Sequence, residues 1–267
     1  MDDRPIEHLT VLDWNVNGFS LKNQPDLLSA LDWDIACLQE VTRQSWPLFR
    51  ALADQGEVAF AYLPPLADPG PRYASAVLIR SRTIHLVDFA VLPDVPSPER
   101  AAVALVTAAN GRRLWVCSWA APPGVTWGKA GKGRQVSRFA AWLSDRPGPT
   151  VVGIDRNAPK WERHDLADDE WWNEWEPLLY GADRVHDLQD VYRDLLESRA
   201  ELAARVRDAH PDGPLAVTHS RRGIPCRYDA IYASPEFTVE HVEHHWEAAR
   251  EAGSDHALVR ARLMLHT

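Results

Sequence analysis

Val151-Val152-Gly153-Ile154-Asp155-Arg156-Asn157 is a β-branched run that ends in two polar side chains two residues apart. Side chains at that spacing share one side of an extended chain, so the strand delivers Asp155 and Asn157 together at its end. The same format recurs four times. Leu12-Asp13-Trp14-Asn15-Val16-Asn17-Gly18 places Asn15 and Asn17 on one side and Val16 on the other. Asp34-Ile35-Ala36-Cys37-Leu38-Gln39-Glu40 carries Glu40 just past an apolar run. Arg227-Tyr228-Asp229-Ala230-Ile231-Tyr232 holds Asp229 within a strand-forming stretch, and Ser254-Asp255-His256 leads into Ala257-Leu258-Val259. One such segment means little, because Asp and Asn are common at strand ends, where they make turns. Five in one chain carry weight together.

Strand-like runs fill most of the sequence around these segments: Leu9–Trp14, Ile35–Leu38, Val58–Leu63, Ala74–Ile79, Ile84–Leu92, Ala101–Thr107, Leu114–Trp119, Thr150–Ile154, Tyr228–Ala233, Val239–Trp246 and Ala257–Leu265. Asn110-Gly111 predicts a type I′ hairpin between two of them. Apolar residues three and four apart predict helices at Asp26–Leu31, Ser45–Ala53 and Val136–Leu143. The longest predicted helix is about Leu188–Val206, striped by Leu188, Val191, Leu195, Leu202 and Val206. Proline-rich stretches (Pro64, Pro65, Pro69, Pro71; Pro93, Pro96, Pro98; Pro122, Pro123) read as loops. Many strands with interspersed helices predict two packed sheets covered by helices. The polar strand ends lie towards both termini, which favours one domain over residues 1–267 with a Trp-rich helical insertion at about 160–210.

A chain of 267 residues, 45% hydrophobic, can bury a large core without disulfides. Cys37, Cys117 and Cys226 are odd in number and far apart, so they read as reduced core residues of a cytoplasmic protein. The first residues lack a signal-peptide pattern, and no apolar run is long enough to span a bilayer. A net charge of -9 argues against broad duplex binding, which uses a basic face. It leaves room for a local basic groove and suits clustered acidic metal ligands.

In this order, the five segments resemble the endonuclease/exonuclease/phosphatase superfamily: a WNV-type strand end, a QE, a GDxN-like segment, an RxDY-like segment and a terminal SDH. The resemblance runs from about Leu9 to Leu265. It implies a four-layered α/β sandwich, with two mixed β-sheets packed face to face and helices outside. Carried over by position, it implies that Asn15 and Glu40 hold a divalent metal, Mg2+ or Mn2+, with Asp255 helping from the far side. Asp155 would be the general base on water, and Asn157 would orient that water or contact the phosphate. His256 would bind the scissile phosphoryl group, held in place by Asp229. Asn17, Trp119, His219 and Arg227 complete the expected set as substrate contacts. These residue types suit the chemistry independently. Hard cations take oxygen ligands, an Asp within reach can accept a proton from water, and a His paired with an Asp is more readily charged.

Two departures stand out. Where family members carry a His or Tyr at the end of the central strand, the matching position reads as Trp119, whose indole N–H cannot act as an acid. His219 is a substitute candidate, although a polar loop histidine is the plainer reading. Ile154 occupies the glycine position of the GDxN-like block, and Arg156 separates its polar pair. The implied activity is a metal-dependent phosphodiesterase, nucleases included. A phosphomonoesterase on a sugar, lipid or inositol phosphate and a degenerate binding module are the rivals.

Three other clusters have both functional and plain readings. Trp161, Trp171, Trp172 and Trp175 could stack on bases, line a pocket or anchor an inserted helix. Lys129, Lys132, Arg134 and Arg138 read equally as a phosphate contact or a solvated helix start. His241, His244 and His245 lack the HExxH or paired cysteines of a zinc site and read as surface residues.

Overall fold

The computed structural model describes residues 7–20, 22–54, 60–66, 72–80, 84–92, 94–108 and 110–266. Pro69, Pro71, Pro93 and the first two residues of the expected strand Val58–Leu63 lie outside them. In chain order the strands are β1 (Glu7–Asn15), β2 (Ile35–Thr42), β3 (Phe60–Tyr62), β4 (Tyr73–Ile79), β5 (His85–Val91), β6 (Ala101–Thr107), β7 (Arg113–Ala120), β8 (Thr150–Asp155), β9 (Gln189–Asp190), β10 (His219–Arg221), β11 (Ile224–Cys226), β12 (Asp229–Ala233), β13 (Phe237–His245) and β14 (Leu258–Leu265). The helices are α1 (Gln24–Ala30), α2 (Trp46–Asp54), α3 (Gly124–Ser144), α4 (Pro177–Tyr180), α5 (Val191–Ser198), α6 (Ala200–Ala209) and α7 (Trp246–Glu251).

Strand alternation sorts the side chains into layers. Leu9, Val11, Ile35, Cys37, Val116, Val151, Ile231 and Val259 fill the space between two six-stranded sheets. The sheets run β13-β14-β1-β2-β4-β3 and β5-β6-β7-β8-β12-β9. Both are mixed, with β1–β2 and β7–β8 parallel. Residues at the intervening positions face outwards. Leu12, Trp14, Ala36 and Leu38 meet Leu28, Phe49, Leu52 and Ala249 of α1, α2 and α7. Cys117, Trp119, Val152 and Ile154 meet Val136, Phe139 and Leu179 of α3 and α4. The outcome is the expected four layers, with each fully buried large apolar side chain contributing about 1.5–3 kcal/mol.

Gly153 lets the sheets approach. A Cβ there would lie 2.4 Å from Cys37 Cβ and 2.7 Å from Asp13 Oδ1. The same alternation carries polar groups into the inner layer at one end of the sandwich: Asp13 and Asn15 on β1, Gln39 on β2, Ser118 on β7, Asp155 on β8 and Asp229 on β12, all buried.

Several local expectations are corrected. The predicted helix Leu188–Val206 is two helices parted at Arg199, whose φ/ψ of -131° and 82° are non-helical. Its start is set by tertiary pairing: Asp190 pairs with Tyr232 across β9–β12, then caps α5 by accepting from the N–H groups of Tyr192 and Arg193. The Trp-rich stretch is mostly not helical; Trp161 bridges to Glu170, and only short turns precede α4. At the predicted Asn110-Gly111 turn, Ala108 N–H bonds to Arg112 O, a longer connection than a two-residue loop allows. The tight two-residue turn is instead Arg222-Gly223, at φ 52° and 83°, between the paired Arg221 and Ile224.

Candidate active site

Register brings the polar strand ends together. Asp155 and Asp229 are Cα partners on β8 and β12. The Asp155 carboxylate accepts three hydrogen bonds: from Asn157 N at 3.0 Å, Asn157 Nδ2 at 3.1 Å and Asn15 Nδ2 at 3.1 Å. Asn15 Oδ1 in turn accepts from Asn17 N at 3.0 Å. One oxygen or nitrogen each from Asp155, Asp229 and His256 lies within 4.8 Å of the others, and the same holds for His219, Asp255 and His256.

His256 Nδ1 sits 2.8 Å from Asp229 Oδ2 and 2.9 Å from Oδ1. Burial alone would lower the imidazole, but the Asp229 carboxylate outweighs it, with help from Asp155 and Asp255, and pushes His256 up to about 10. Burial pushes the Asp229 carboxyl upwards while the imidazolium opposes it. With the Asp229 carboxylate against Nδ1, the shared proton resides on His256. Two hydroxyls missed by the sequence reading fix this pair. Ser254 Oγ donates to Asn15 O at 2.6 Å and accepts from His256 N, tying the ends of β1 and β14. Thr218 Oγ1 accepts from the N–H groups of Tyr228 and Asp229. Ser254 was already part of the quoted terminal block; Thr218 carried no local signal.

Because the folded value of His256 lies above the ordinary 6.5, its contribution to stability is complete below pH 6.5 and is lost as pH rises through about 10. Asp229→Asn is expected to return the imidazole to near or below 6.5, since burial remains and its main partner charge is gone. Proton-detected NMR titration checks this; an unchanged value above 9 would show that Asp229 is not the cause.

Glu40 reaches the site through a β-bulge. The β2–β4 register shifts between Leu38 and Val41, and Glu40 has φ +55°. Gly18 makes room, since a Cβ there would lie 2.4 Å from Glu40 O. Burial raises the Glu40 carboxyl, Asp155 adds to the rise, His256 and Arg100 oppose it, and Asp255 raises it further. Glu40 therefore shares one electrostatic neighbourhood with the other site groups, although it stands outside the two tight triads. Asn17 and Asn157 have φ of +44° and +46°. Three of the four non-glycine residues at positive φ among the described residues are thus site residues, at about 1–3 kcal/mol of strain each.

Arg100 was not singled out by sequence. It is buried, donates to Tyr73 Oη at 2.7 Å and lies over the Tyr73 and Trp127 rings. On the other flank, His219 stacks on His256 at 4.3 Å and on Tyr228 at 5.4 Å, with its Nδ1 3.1 Å from Asp255 O. Arg221 of the same hairpin lies over Trp172.

Two expected substrate contacts are corrected. Trp119 is fully buried on the outer face of β7, stacked on Phe139 at 3.9 Å with its Nε1 3.2 Å from Tyr180 Oη. Ala120 is the residue in register with Asp155, so β7 presents no protic side chain there. Strand parity was legible: Trp119 alternates with Ser118 and Ala120 and belongs with Cys117. Arg227 is also buried, gripped by Glu162 and Asp190. The basic stretch divides, with Lys129, Arg134 and Arg138 exposed and Lys132 buried. His241 and His245 lie against Glu243, and among the described residues they belong to no metal-binding cluster. A surface hollow of about 730 Å³ lies along α3 near Asp94–Pro96 and is lined by none of the strand-end groups.

The donor set fits a hard divalent cation. Glu40, Asp155 and Asp255 offer oxygen, and their mutual repulsion is what a cation would relieve. With Glu40 outside the tight triads, such an ion would take few protein ligands and rely on water and substrate oxygens, the usual pattern for Mg2+.

Residues 14–256 match the model of the Endonuclease/Exonuclease/phosphatase family. No curated protein matches the sequence. Among solved structures, the human Nocturnin catalytic domain with bound sulfate is 16% identical at a TM-score of 0.67, covering 97% of this chain and 97% of its own. D. rerio TDP2 with a single strand DNA product is 15% identical at 0.64, covering 96% and 99%. An endonuclease/exonuclease/phosphatase from Bacteroides vulgatus is 14% identical at 0.68, covering 97% and 100%. At these identities the likeness is one of fold.

Proposed function

Since the chain belongs to the Endonuclease/Exonuclease/phosphatase family, we propose that it is a divalent-metal-dependent phosphodiesterase that uses Asp155 to activate water. The observation that carries the reading is the pairing of Asp155 with Asp229 across β8 and β12, with His256 bonded to Asp229 at 2.8 Å. Asp155 takes the proton of the attacking water, and its three donors fix the direction of the carboxylate. Asn157, bonded to that carboxylate, orients the same water. His256, held as an imidazolium with Nδ1 on Asp229, shows no partner for Nε2 among the described residues, and that N–H would bond a phosphoryl oxygen and balance its charge. A divalent cation at Glu40, with Asn15 and Asp255 beside it, would supply positive charge to the phosphoryl and leaving oxygens.

No β7 side chain can protonate the leaving oxygen, because Ala120 stands beside Asp155. General-acid help is typically about 10²–10⁴-fold. Aryl phosphodiesters, whose leaving oxygen needs no proton, are therefore expected to react faster than alkyl ones by a factor in that range. Nucleic acid is the first substrate class to test. Arginine–aromatic pairs flank the site on both sides, Arg100 with Tyr73 and Arg221 with Trp172, and the TDP2 structure holds a single strand DNA product.

The test measures cleavage of an aryl phosphodiester, single-stranded DNA and RNA with Mg2+ or Mn2+ and with EDTA. Activity should fall at least about 10²-fold on chelation and in Glu40→Gln. Metal-independent cleavage, or full activity in Asp155→Ala and His256→Ala, would sink the proposal. Phosphate release from monoesters with no diester cleaved would instead favour a phosphomonoesterase.

A further inference from the structure

Lys132 comes from the one basic stretch of the sequence, yet it is 1% exposed. Its Nζ donates to Asn157 O at 2.7 Å and lies 2.6 Å from Glu176 Oε1, and Glu176 is fully buried. Glu176 Oε2 accepts from Trp172 N at 2.7 Å. The N–H groups of Asn157 are bonded elsewhere: N and Nδ2 to Asp155, and Nδ2 also to Ala121 O. The left-handed turn at Asn157 is thus held on one side by the carboxylate of Asp155 and on the other by a buried ammonium.

We propose that Lys132 is a positioning residue for the Asp155–Asn157 turn, and that Glu176 couples it to the Trp-rich segment. The inference rests on the phosphodiesterase reading for its effect on rate. Without the ammonium, Asn157 O loses its donor, and the strained turn is left with only the bonds to Asp155 and Ala121 O to oppose its relaxation. The coupling extends around the site. Trp172 carries both the amide that bonds Glu176 and the ring under Arg221, and the Arg221 hairpin begins at His219 against His256. The two halves of the site, Asp155–Asn157 and Asp229–His256, are thereby connected through one surface segment.

A merely structural ion pair behaves differently from a positioning one. Replacing both partners of a buried pair by apolar residues of similar volume is often neutral or stabilising, whereas removing one partner destabilises strongly. The test therefore compares Lys132→Met/Glu176→Met with Lys132→Gln/Glu176→Gln, which keeps a donor near Asn157 O. In the apolar pair kcat should fall about 10²-fold, the scale of a roughly 1 Å misplacement, with KM and Mn2+ affinity within about twofold. The amide pair should recover most of the loss. Equal kcat in both pairs, at the wild-type level or below it, overturns the inference.

Two measurements do not depend on turnover. The Asn157 amide of the wild type should exchange as slowly as the amides of β8, and in the apolar pair at least tenfold faster while Val152 is unchanged. Wild-type exchange at the rate of an open loop overturns the inference even if the apolar pair fails to fold. Wild-type protein inactive on every phosphate ester defeats the phosphodiesterase reading, while exchange still decides the role of Lys132.

Discussion

Asp155→Asn is expected to leave a folded protein whose phosphodiester cleavage is slower by about 10³-fold, within the 10²–10⁴ typical of a lost general base. The substitution changes two things at one atom. A carboxamide does not take a proton from water under these conditions. It also puts an NH2 where a carboxylate oxygen faced the side-chain amides of Asn15 and Asn157, so a donor meets donors. Both effects act at the turn, and neither touches the apolar layer that begins at Gly153 and Cys37. The melting temperature should therefore move by only a few degrees while kcat collapses. Steady-state kinetics beside a thermal melt separates the two, and activity within threefold of wild type would remove Asp155 from the mechanism.

Arg227→Met is expected to do the reverse, destabilising the fold by about 3–5 kcal/mol. Arg227 Nε donates to both Glu162 oxygens, at 2.9 and 3.1 Å, and its Nη1 and Nη2 donate to Asp190. Arg156 lies 3.7 Å from each of these acids, and Arg193 3.0 Å from Asp169 and 3.4 Å from Glu162. Three cations balance three carboxylates in a buried cluster, so removing one cation leaves an uncompensated charge. Asp190 also caps α5, and Glu162 receives Leu215 N, so the loss spreads to two further segments. For a chain this size each kcal/mol moves the melting temperature by roughly 2–4 °C, which predicts a fall of about 6–20 °C.

The pH dependence has a definite sign. Burial raises the carboxyls of Asp190 and Glu162, but the arginines outweigh it and hold both below their ordinary values. Their stabilisation is present above the unfolded carboxylate range and is lost as pH falls through the lowered values. Arg227→Met should flatten that acid limb. Urea titrations from pH 3 to 7 check it, and an undiminished acid limb would show that Arg227 is not what holds these groups down.

The chemistry at the strand ends was legible because it obeys a period of two. Asn15 and Asp155 follow, and Asp229 precedes, apolar residues that alternate between an inner and an outer face, and that alternation needs no knowledge of distant partners. The same rule would have excluded Trp119, which has the parity of Cys117, and pointed to Ala120. Glu40 was found by its motif, but only the bulge at positive φ explains how it leaves the outer parity and turns to the site. Arg227, Arg156 and Lys132 were opaque for another reason. A cation in sequence is by default a surface group, and only the acids brought from Glu162, Glu176 and Asp190 make their burial tolerable.

The sequence by itself determined the longer strands, their two faces and the identity of the polar groups at one end, because these follow from local periodicity and covalent geometry. Only the tertiary structure decided which carboxylate receives which donors, where the long helix breaks and which arginines and lysine lie inside. Those outcomes depend on pairing between residues as far apart as Asn15 and Ser254, and on the balance between burying a charge and neutralising it, which no local pattern encodes.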